Sequence, residues 1–153
     1  MKTRAQDILK AKGNGIWTIN PDSTIENAVH MMNEKRIGAL IVVNSEGEIE
    51  GIVSERDILK NLASSYCEIK KTSVKLIMTP KEKIVVGLPE DTAEYLMGIM
   101  TNNRIRHIPI VGGECKCKLL GVVSIGDLVK AVLKDTHFEN KLLKDYFSGG
   151  YPS

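Results

Sequence analysis

The chain has 153 residues, of which 42% are hydrophobic and 26% charged, with a formal net charge of +2. These values match an ordinary globular chain and exclude a disordered or low-complexity architecture. No apolar run approaches the ~18 residues a membrane helix needs, and the opening Met1-Lys2-Thr3-Arg4 stretch lacks the apolar core of a secretory signal, so a cytoplasmic protein without membrane association is expected.

In chain order, a short strand is expected at 17–19, ahead of Pro21. Ser23-x-x-Glu26 has the form of a capping box and opens a helix whose apolar positions are Ile25, Ala28, Val29 and Met32. The continuous apolar run 37–43 suits a strand buried on both faces. Asn44-Ser45-Glu46-Gly47 then turns the chain into a second strand, 49–53, and a helix follows from about Glu55. After a link over 65–74 the order recurs. A short strand is expected at 85–87, a capping box at Asp91-x-x-Glu94, and a helix with Ala93, Leu96, Met97 and Met100 on one face. An apolar strand over 105–111, a turn at 112–114, a strand over 119–123 and a helix from Ile125 complete the second copy. Residues 134–147 read as a further amphipathic helix, with Phe138, Leu142, Leu143 and Phe147 as its apolar positions, and 148–153 as a frayed tail.

The recurrence is an internal repeat. A shift of 68 residues places Pro21 on Pro89, Thr24 on Thr92, Glu26 on Glu94, Met32 on Met100 and Arg36 on Arg104. After a small insertion the shift becomes 70, and Gly51 falls on Gly121, Val53 on Val123, Ser54 on Ser124 and Asp57 on Asp127. One such unit is near the size where a core becomes marginal. The expected fold is therefore α/β (α+β): two pseudo-symmetric β-α-β-β-α units packed sheet to sheet in one module. The divisions are 5–64, a linker 65–74, 75–133, and a C-terminal helix and tail 134–153.

The chemistry concentrates where a strand meets a helix. Gly51-Ile52-Val53-Ser54-Glu55-Arg56-Asp57 and Gly121-Val122-Val123-Ser124-Ile125-Gly126-Asp127 each put a serine at the helix start and an aspartate three residues on. As structure, this is a helix cap with an acid favoured by the helix dipole. As function, a helix start offers unpaired N–H groups to a phosphate, and a carboxylate there accepts hydrogen bonds from a ribose diol. Such a carboxylate repels a 2′-phosphate, so a 2′-hydroxyl nucleotide is favoured. The glycine ahead of each strand end permits close approach of a backbone or ligand. Arg104, Arg106 and His107 cluster before a buried strand and suit phosphate oxygens. Copy one has Arg36, Gly38 and Ala39 there, so the two sites are expected to differ.

The repeated unit resembles the cystathionine-β-synthase (CBS) domain, and the chain resembles a stand-alone tandem CBS pair over about residues 5–133. The resemblance rests on the paired Gly-x-Val-Ser-x-x-Asp segments, on Leu76-Ile77-Met78-Thr79-Pro80, and on Arg106-His107-Ile108-Pro109-Ile110. It implies binding of an adenosine-containing ligand, namely AMP, ADP, ATP, NAD or S-adenosylmethionine, in clefts between the copies. The arginines favour a phosphorylated ligand over S-adenosylmethionine. By the same resemblance Asp57 and Asp127 bind ribose, while Ser54 and Ser124 approach the phosphates. Arg104, Arg106 and His107 neutralise phosphate, and Arg56 adds a phosphate contact that Gly126 does not repeat. Thr18, Ile19 and Pro21, with Val86 and Gly87 in copy two, line the adenine. Ile37, Gly38 and Ala39 form the opposite wall, and Pro109 joins the ligand-binding set. A homodimer through the helices is implied as well.

The function expected is a regulatory adenine-nucleotide sensor that acts on a partner protein. One alternative is a structural or dimerisation adaptor that binds nothing. Another is a small nucleotide-processing enzyme, disfavoured because His30, His107 and His137 have no evident nucleophile partner. The 21 basic residues form no block and aromatic residues are 5% of the chain, which disfavours nucleic acid. Cys67, Cys115 and Cys117 are an odd set, so reduced thiols rather than a disulfide framework are expected. Cys115-Lys116-Cys117 lacks the second half of a zinc site, which needs about four ligands, so no metal cofactor is expected.

Overall fold

The computed structural model describes residues 2–13, 16–64, 68–116 and 118–147, with the side chains of 138–139, 142–143 and 146–147 excepted. The elements in chain order are α1 (Ala5–Lys12), β1 (Thr18–Ile19), α2 (Ile25–Lys35), β2 (Ala39–Val43), β3 (Ile49–Ser54), α3 (Glu55–Ser64), β4 (Thr79–Pro80), α4 (Ala93–Asn103), β5 (His107–Gly112), β6 (Lys118–Ser124) and α5 (Ile125–Phe147). The fold is mixed α+β, as the sequence implied. Two compact units divide the chain. The central unit takes Ile16–Val85 with Gly113–Leu119, and the terminal unit takes Met1–Gly15, Val86–Gly112 and Leu120–Ser153.

In the central unit a four-stranded sheet runs in the order β1-β2-β3-β4. β1 lies parallel to β2, β3 antiparallel to β2, and β4 antiparallel to β3. Its core gathers Ile25, Ala28 and Met32 from α2, Leu40 and Val42 from β2, Val53, Ile58, Val74 and Ile77. Leu40, Ile41 and Val42 are all fully buried, as a run covered on both faces requires. Val29 departs from the expected stripe and stays 37% exposed, because the buried arc of α2 is limited to Ile25, Ala28 and Met32.

The terminal unit repeats the plan with fewer paired strands. β5 and β6 form a two-stranded sheet. Residues 85–87, expected as a strand, make only a single parallel bridge, Gly87 to Ile110. That bridge stands one repeat away from the Ile19–Val42 pair. Its core holds Ala5 and Ile8 from α1, Ala93, Leu96 and Met100 from α4, Ile108 and Ile110 from β5, then Val123, Leu128 and Ala131.

The helix starts differ from expectation by one residue. Thr24 Oγ1 accepts from the Asn27 N–H at 3.2 Å, and Thr92 Oγ1 from the Tyr95 N–H at 3.2 Å, so the caps are the threonines rather than Ser23 and Asp91. Asp91 instead accepts from the Leu88 N–H at 2.8 Å and holds the preceding turn. The expected separate helix over 134–147 is continuous with the one beginning at Ile125, since no glycine or proline interrupts the stretch after Gly126. The apolar positions assigned to Phe138, Leu142, Leu143 and Phe147, the tail 148–153, and Cys67 and Cys117 lie outside the described residues. Cys115 is disulfide-bonded, against the expectation of reduced thiols; an odd cysteine count does not prevent two of them from joining.

The segment ahead of each repeat packs on the other repeat's unit. α1 belongs to the terminal unit, and β4 to the central one. Gly51 and Gly121 make this possible. A Cβ on Gly51 would stand 2.6 Å from both Met78 Sδ and the Thr79 backbone oxygen, and one on Gly121 would stand 2.6 Å from Leu9 Cδ2. The close approach inferred from sequence is thus made by the protein's own chain. Backbone cannot retreat as a leucine tip can. Gly51→Ala is therefore expected to destabilise by about 1–3 kcal/mol, and Gly121→Ala by clearly less. Urea unfolding midpoints of the two variants check the order.

Candidate functional site

Each unit turns from strand to helix within one residue, and a reciprocal pair of hydrogen bonds holds the turn. Ser54 N–H donates to Asp57 Oδ2 at 2.9 Å, and the Asp57 N–H donates back to Ser54 Oγ at 3.3 Å. Ser124 N–H donates to Asp127 Oδ2 at 2.9 Å, and the Asp127 N–H donates to Ser124 Oγ at 3.2 Å. This satisfies two donors that a helix start otherwise leaves open. It commits one oxygen of each carboxylate, Oδ2, and leaves Oδ1 outside the pair. Both aspartates are half-buried.

A second bond draws the preceding loop against each junction. The Glu55 N–H donates to the Gly38 carbonyl at 3.0 Å, and the Ile125 N–H to the Arg106 carbonyl at 2.8 Å. In the central unit this joins Ile37, Gly38 and Ala39 to Ser54, and Ala39 faces Ser54 across the β2–β3 ladder. In the terminal unit it joins Arg104, Arg106 and His107 to Ser124. The remaining residues named from sequence fall in the same two groups. Thr18 and Ile19 form β1 and Pro21 follows it, its carbonyl accepting from the Lys75 N–H at 3.1 Å. Arg56 lies exposed in the first turn of α3. Val86 is exposed, and Gly87 exchanges bonds with β5, donating to the Pro109 carbonyl at 2.9 Å. The side chains of Ile19 and Ala39 are buried.

Two features escaped the sequence reading of the site: the backbone conformation of Arg36 and Arg104, residues that the repeat itself singles out, and the reach of Lys12. Arg36 and Arg104 end α2 and α4 with φ 56° and 54°, left-handed conformations in which glycine or asparagine is less strained. Each costs on the order of 1 kcal/mol. The bonds of a helix C-cap hold both: the Ile37 N–H donates to the Met32 carbonyl and the Ile105 N–H to the Met100 carbonyl, each at 3.0 Å. Arg36 lines a groove of about 610 Å³ with Val29, Met32, Asn33, Ile37, Gly38, Glu55, Ile58 and Leu59. Ser54 and Asp57 lie outside that lining, so the groove follows the α2–α3 face rather than the carboxylate.

The other is Lys12, whose Nζ stands 2.8 Å from Asp127 Oδ2 and 2.9 Å from the Val122 carbonyl. Burial raises the Asp127 pKa. The Lys12 hydrogen bond, the Ser124 N–H, the Lys12 charge and the Ser124 hydroxyl together outweigh it, and the carboxyl sits below its ordinary 3.8. A third shift shows where Lys12 comes from. At 69 residues, Ile8 falls on Ile77, Leu9 on Met78 and Lys12 on Lys81.

The family model for the CBS domain matches residues 6–64 and again 74–134. The chain belongs to the CBS-domain family. The CBS domain-containing protein CBSX3, mitochondrial, of Arabidopsis thaliana is 37% identical over 155 residues, covering 97% of this chain and 74% of its own. A putative signal-transduction protein with CBS domains from Burkholderia ambifaria is 39% identical at a TM-score of 0.79, with 87% of this chain and 96% of that one covered. A CBS domain pair solved with 5′-methylthioadenosine and S-adenosyl-L-methionine shares the fold at 21% identity and a TM-score of 0.74, over 88% of this chain and 99% of that one. The protein is thus a CBS pair, and these relatives are themselves CBS-domain proteins. Among the described residues no helix is long and apolar enough to cross a membrane, and no three His, Cys, Asp or Glu side chains gather as metal ligands.

The depressed Asp127 pKa has a thermodynamic consequence. A group with a lowered folded pKa contributes stability above its unfolded value and loses it as pH falls through the folded one. Asp127→Asn is expected to cost about 1 kcal/mol at neutral pH. The gap between variant and parent should close below about pH 3.8, and denaturant titrations across pH 2.5–7, roughly the range in which carboxylates titrate, measure it.

Proposed function

We propose that this CBS pair is a regulatory sensor of a phosphorylated, 2′-hydroxyl adenine nucleotide, AMP, ADP, ATP or NAD, with binding groups at the strand-to-helix junction of each unit. The observation that carries this reading is the duplicated Ser–Asp pair, which spends one oxygen of a half-buried carboxylate on the fold and leaves the other outside the pair. Asp57 and Asp127 accept the ribose hydroxyls, at about 1.5–3 kcal/mol for each bond to a charged acceptor. Ser54, Arg56 and the start of α3 face the phosphate in the central unit. Ser124, Arg104, Arg106 and His107 do so in the terminal unit. Thr18, Ile19 and Pro21 border the base in one unit, Val86 and Gly87 with Pro109 in the other, and Ile37, Gly38 and Ala39 wall the central site. Two of these residues, Ile19 and Ala39, act through backbone polar groups, which suits recognition of a base edge. The compounds bound by the solved CBS pair noted above share the adenosine portion with these nucleotides, including the ribose diol, but carry no phosphate.

Ligand energy acts on the partner only through its difference between two states of the sensor. Self-association is part of the reading. Leu59, 66% exposed, and Leu62 project from α3, and Val129 and Leu133 from α5, and these apolar faces suit a second copy of the chain. Leu59→Glu is expected to shift the protein from dimer to monomer in light scattering, with the unfolding midpoint little changed.

A structural adaptor is the second reading, favoured by the fact that capping alone accounts for every Ser–Asp bond. Isothermal titration of ligand-stripped protein with AMP, ATP, NAD and S-adenosylmethionine separates the two. The sensor reading expects heat with a phosphorylated nucleotide and about a tenfold or greater loss of affinity in Asp57→Asn. No heat with any of the four supports the adaptor, and unchanged affinity in a destabilised Asp57→Asn leaves that carboxylate a cap without a ribose role.

A further inference from the structure

The two junctions carry the same Ser–Asp pair but not the same charge. In the terminal unit the Lys12 ammonium bonds Asp127 Oδ2 at 2.8 Å and the Val122 carbonyl at 2.9 Å, bridging the last strand residues and the first helical turn. Among the described residues, the hydrogen bonds of Asp57 are to Ser54 alone. Lys81, the counterpart of Lys12 under the 69-residue shift, begins an exposed helical turn over Lys81–Lys83 and makes no ion pair among the described residues.

α1 is anchored at its start by backbone and side-chain bonds, and at its end, among the described residues, by the Lys12 side chain alone of its polar groups. Thr3 donates through its N–H and its hydroxyl to the two oxygens of Asp135, at 2.8 and 2.7 Å. Arg4 Nη1 donates to the Glu90 carbonyl at 2.7 Å, and the Ala5 and Gln6 N–H groups to the Asp91 and Pro89 carbonyls at 2.8 and 2.9 Å. Ala5 and Ile8 are buried in the core. Lys12 is the last helical residue, followed by Gly13 at φ 86°, and its side chain is 43% exposed while that of Asp127 is 21% exposed. A four-carbon stem on a helix end can leave its acceptor without moving the helix.

An ammonium offers a carboxylate what a ribose diol offers, hydrogen-bond donors, with a full charge added. We propose that Lys12 is a built-in competitor at the terminal unit's sugar-binding carboxylate. A nucleotide then fills the Asp57 site first and reaches Asp127 only by displacing Lys12. This rests on the nucleotide reading above and adds a specificity-determining residue to it. The Asp57 carboxylate carries no ion pair among the described residues. The terminal site is self-neutralised, and so responds at higher nucleotide concentration. Unequal occupancy of two sites built from one repeat is the result.

The test uses the full, ligand-stripped chain and AMP as the probe. In an Asp57→Asn background, which isolates the terminal site, Lys12→Met is expected to tighten AMP binding about two- to fivefold, the scale of a partly exposed ion pair. Lys12→Arg should leave it near the parent. In an Asp127→Asn background Lys12→Met should have no effect on AMP. Equal or weaker AMP binding in Asp57→Asn/Lys12→Met overturns the competitor role while leaving the nucleotide reading intact. A nucleotide-free measurement runs beside it: the Asp127 carboxyl NMR titration midpoint should rise in Lys12→Met. A midpoint that does not move overturns the proposal whatever AMP does. Failure of every variant and the parent to bind AMP, ATP or NAD ends the nucleotide reading and the competitor role together.

Discussion

A serine and an aspartate three residues apart trade hydrogen bonds across the first turn of a helix, and both units are organised around that exchange. A buried strand cannot pass directly into a helix without stranding N–H groups at a half-buried corner. Ser54 and Asp57, and again Ser124 and Asp127, satisfy those groups while keeping the turn one residue long. The same bonds fix the direction of a carboxylate. Cap and candidate binding group are therefore one set of atoms, and removing the aspartate tests both at once. Stability and affinity have to be measured together to tell them apart.

The corner is further shaped by what covers it. Each repeat leaves a glycine on the strand leading to its junction, and that gap admits a chain segment that precedes a repeat in sequence. Met78 and Thr79 fill it in the central unit, Leu9 in the terminal unit. One cover is a strand and the other a helix, so the near-symmetric junctions receive different neighbours. The helix ends in a lysine that reaches the carboxylate. The asymmetry of the two sites thus arises from the covering segments, with the Ser–Asp pairs themselves almost superimposable in their bonds.

Much of this was legible in the residues. The repeat places Gly87–Ile110 one period from Ile19–Val42, and the parallel pairing at both places follows it. Buried Ile25, Ala28, Met32, Ala93, Leu96 and Met100 follow from helical periodicity. Periodicity failed at Val29, because it marks an apolar arc without saying where the core stops. It failed by one residue at the caps, because Ser23 and Thr24 are both capping side chains and only backbone conformation decides which one closes the helix. Arg36 and Arg104 carried a signal in their repetition, but the left-handed backbone that makes them notable has no signature in residue type.

The sequence by itself determined the duplicated junction, its reciprocal hydrogen bonds and the two alternating cores. These depend on residues a few positions apart, and short-range geometry follows from local chemistry. Only the tertiary structure decided which segment covers which junction. The meeting of Lys12 with Asp127 spans 115 positions of the chain. No local pattern encodes a contact of that range, since it is set by the packing of Ala5, Ile8 and Leu9 against a unit that the chain builds only later.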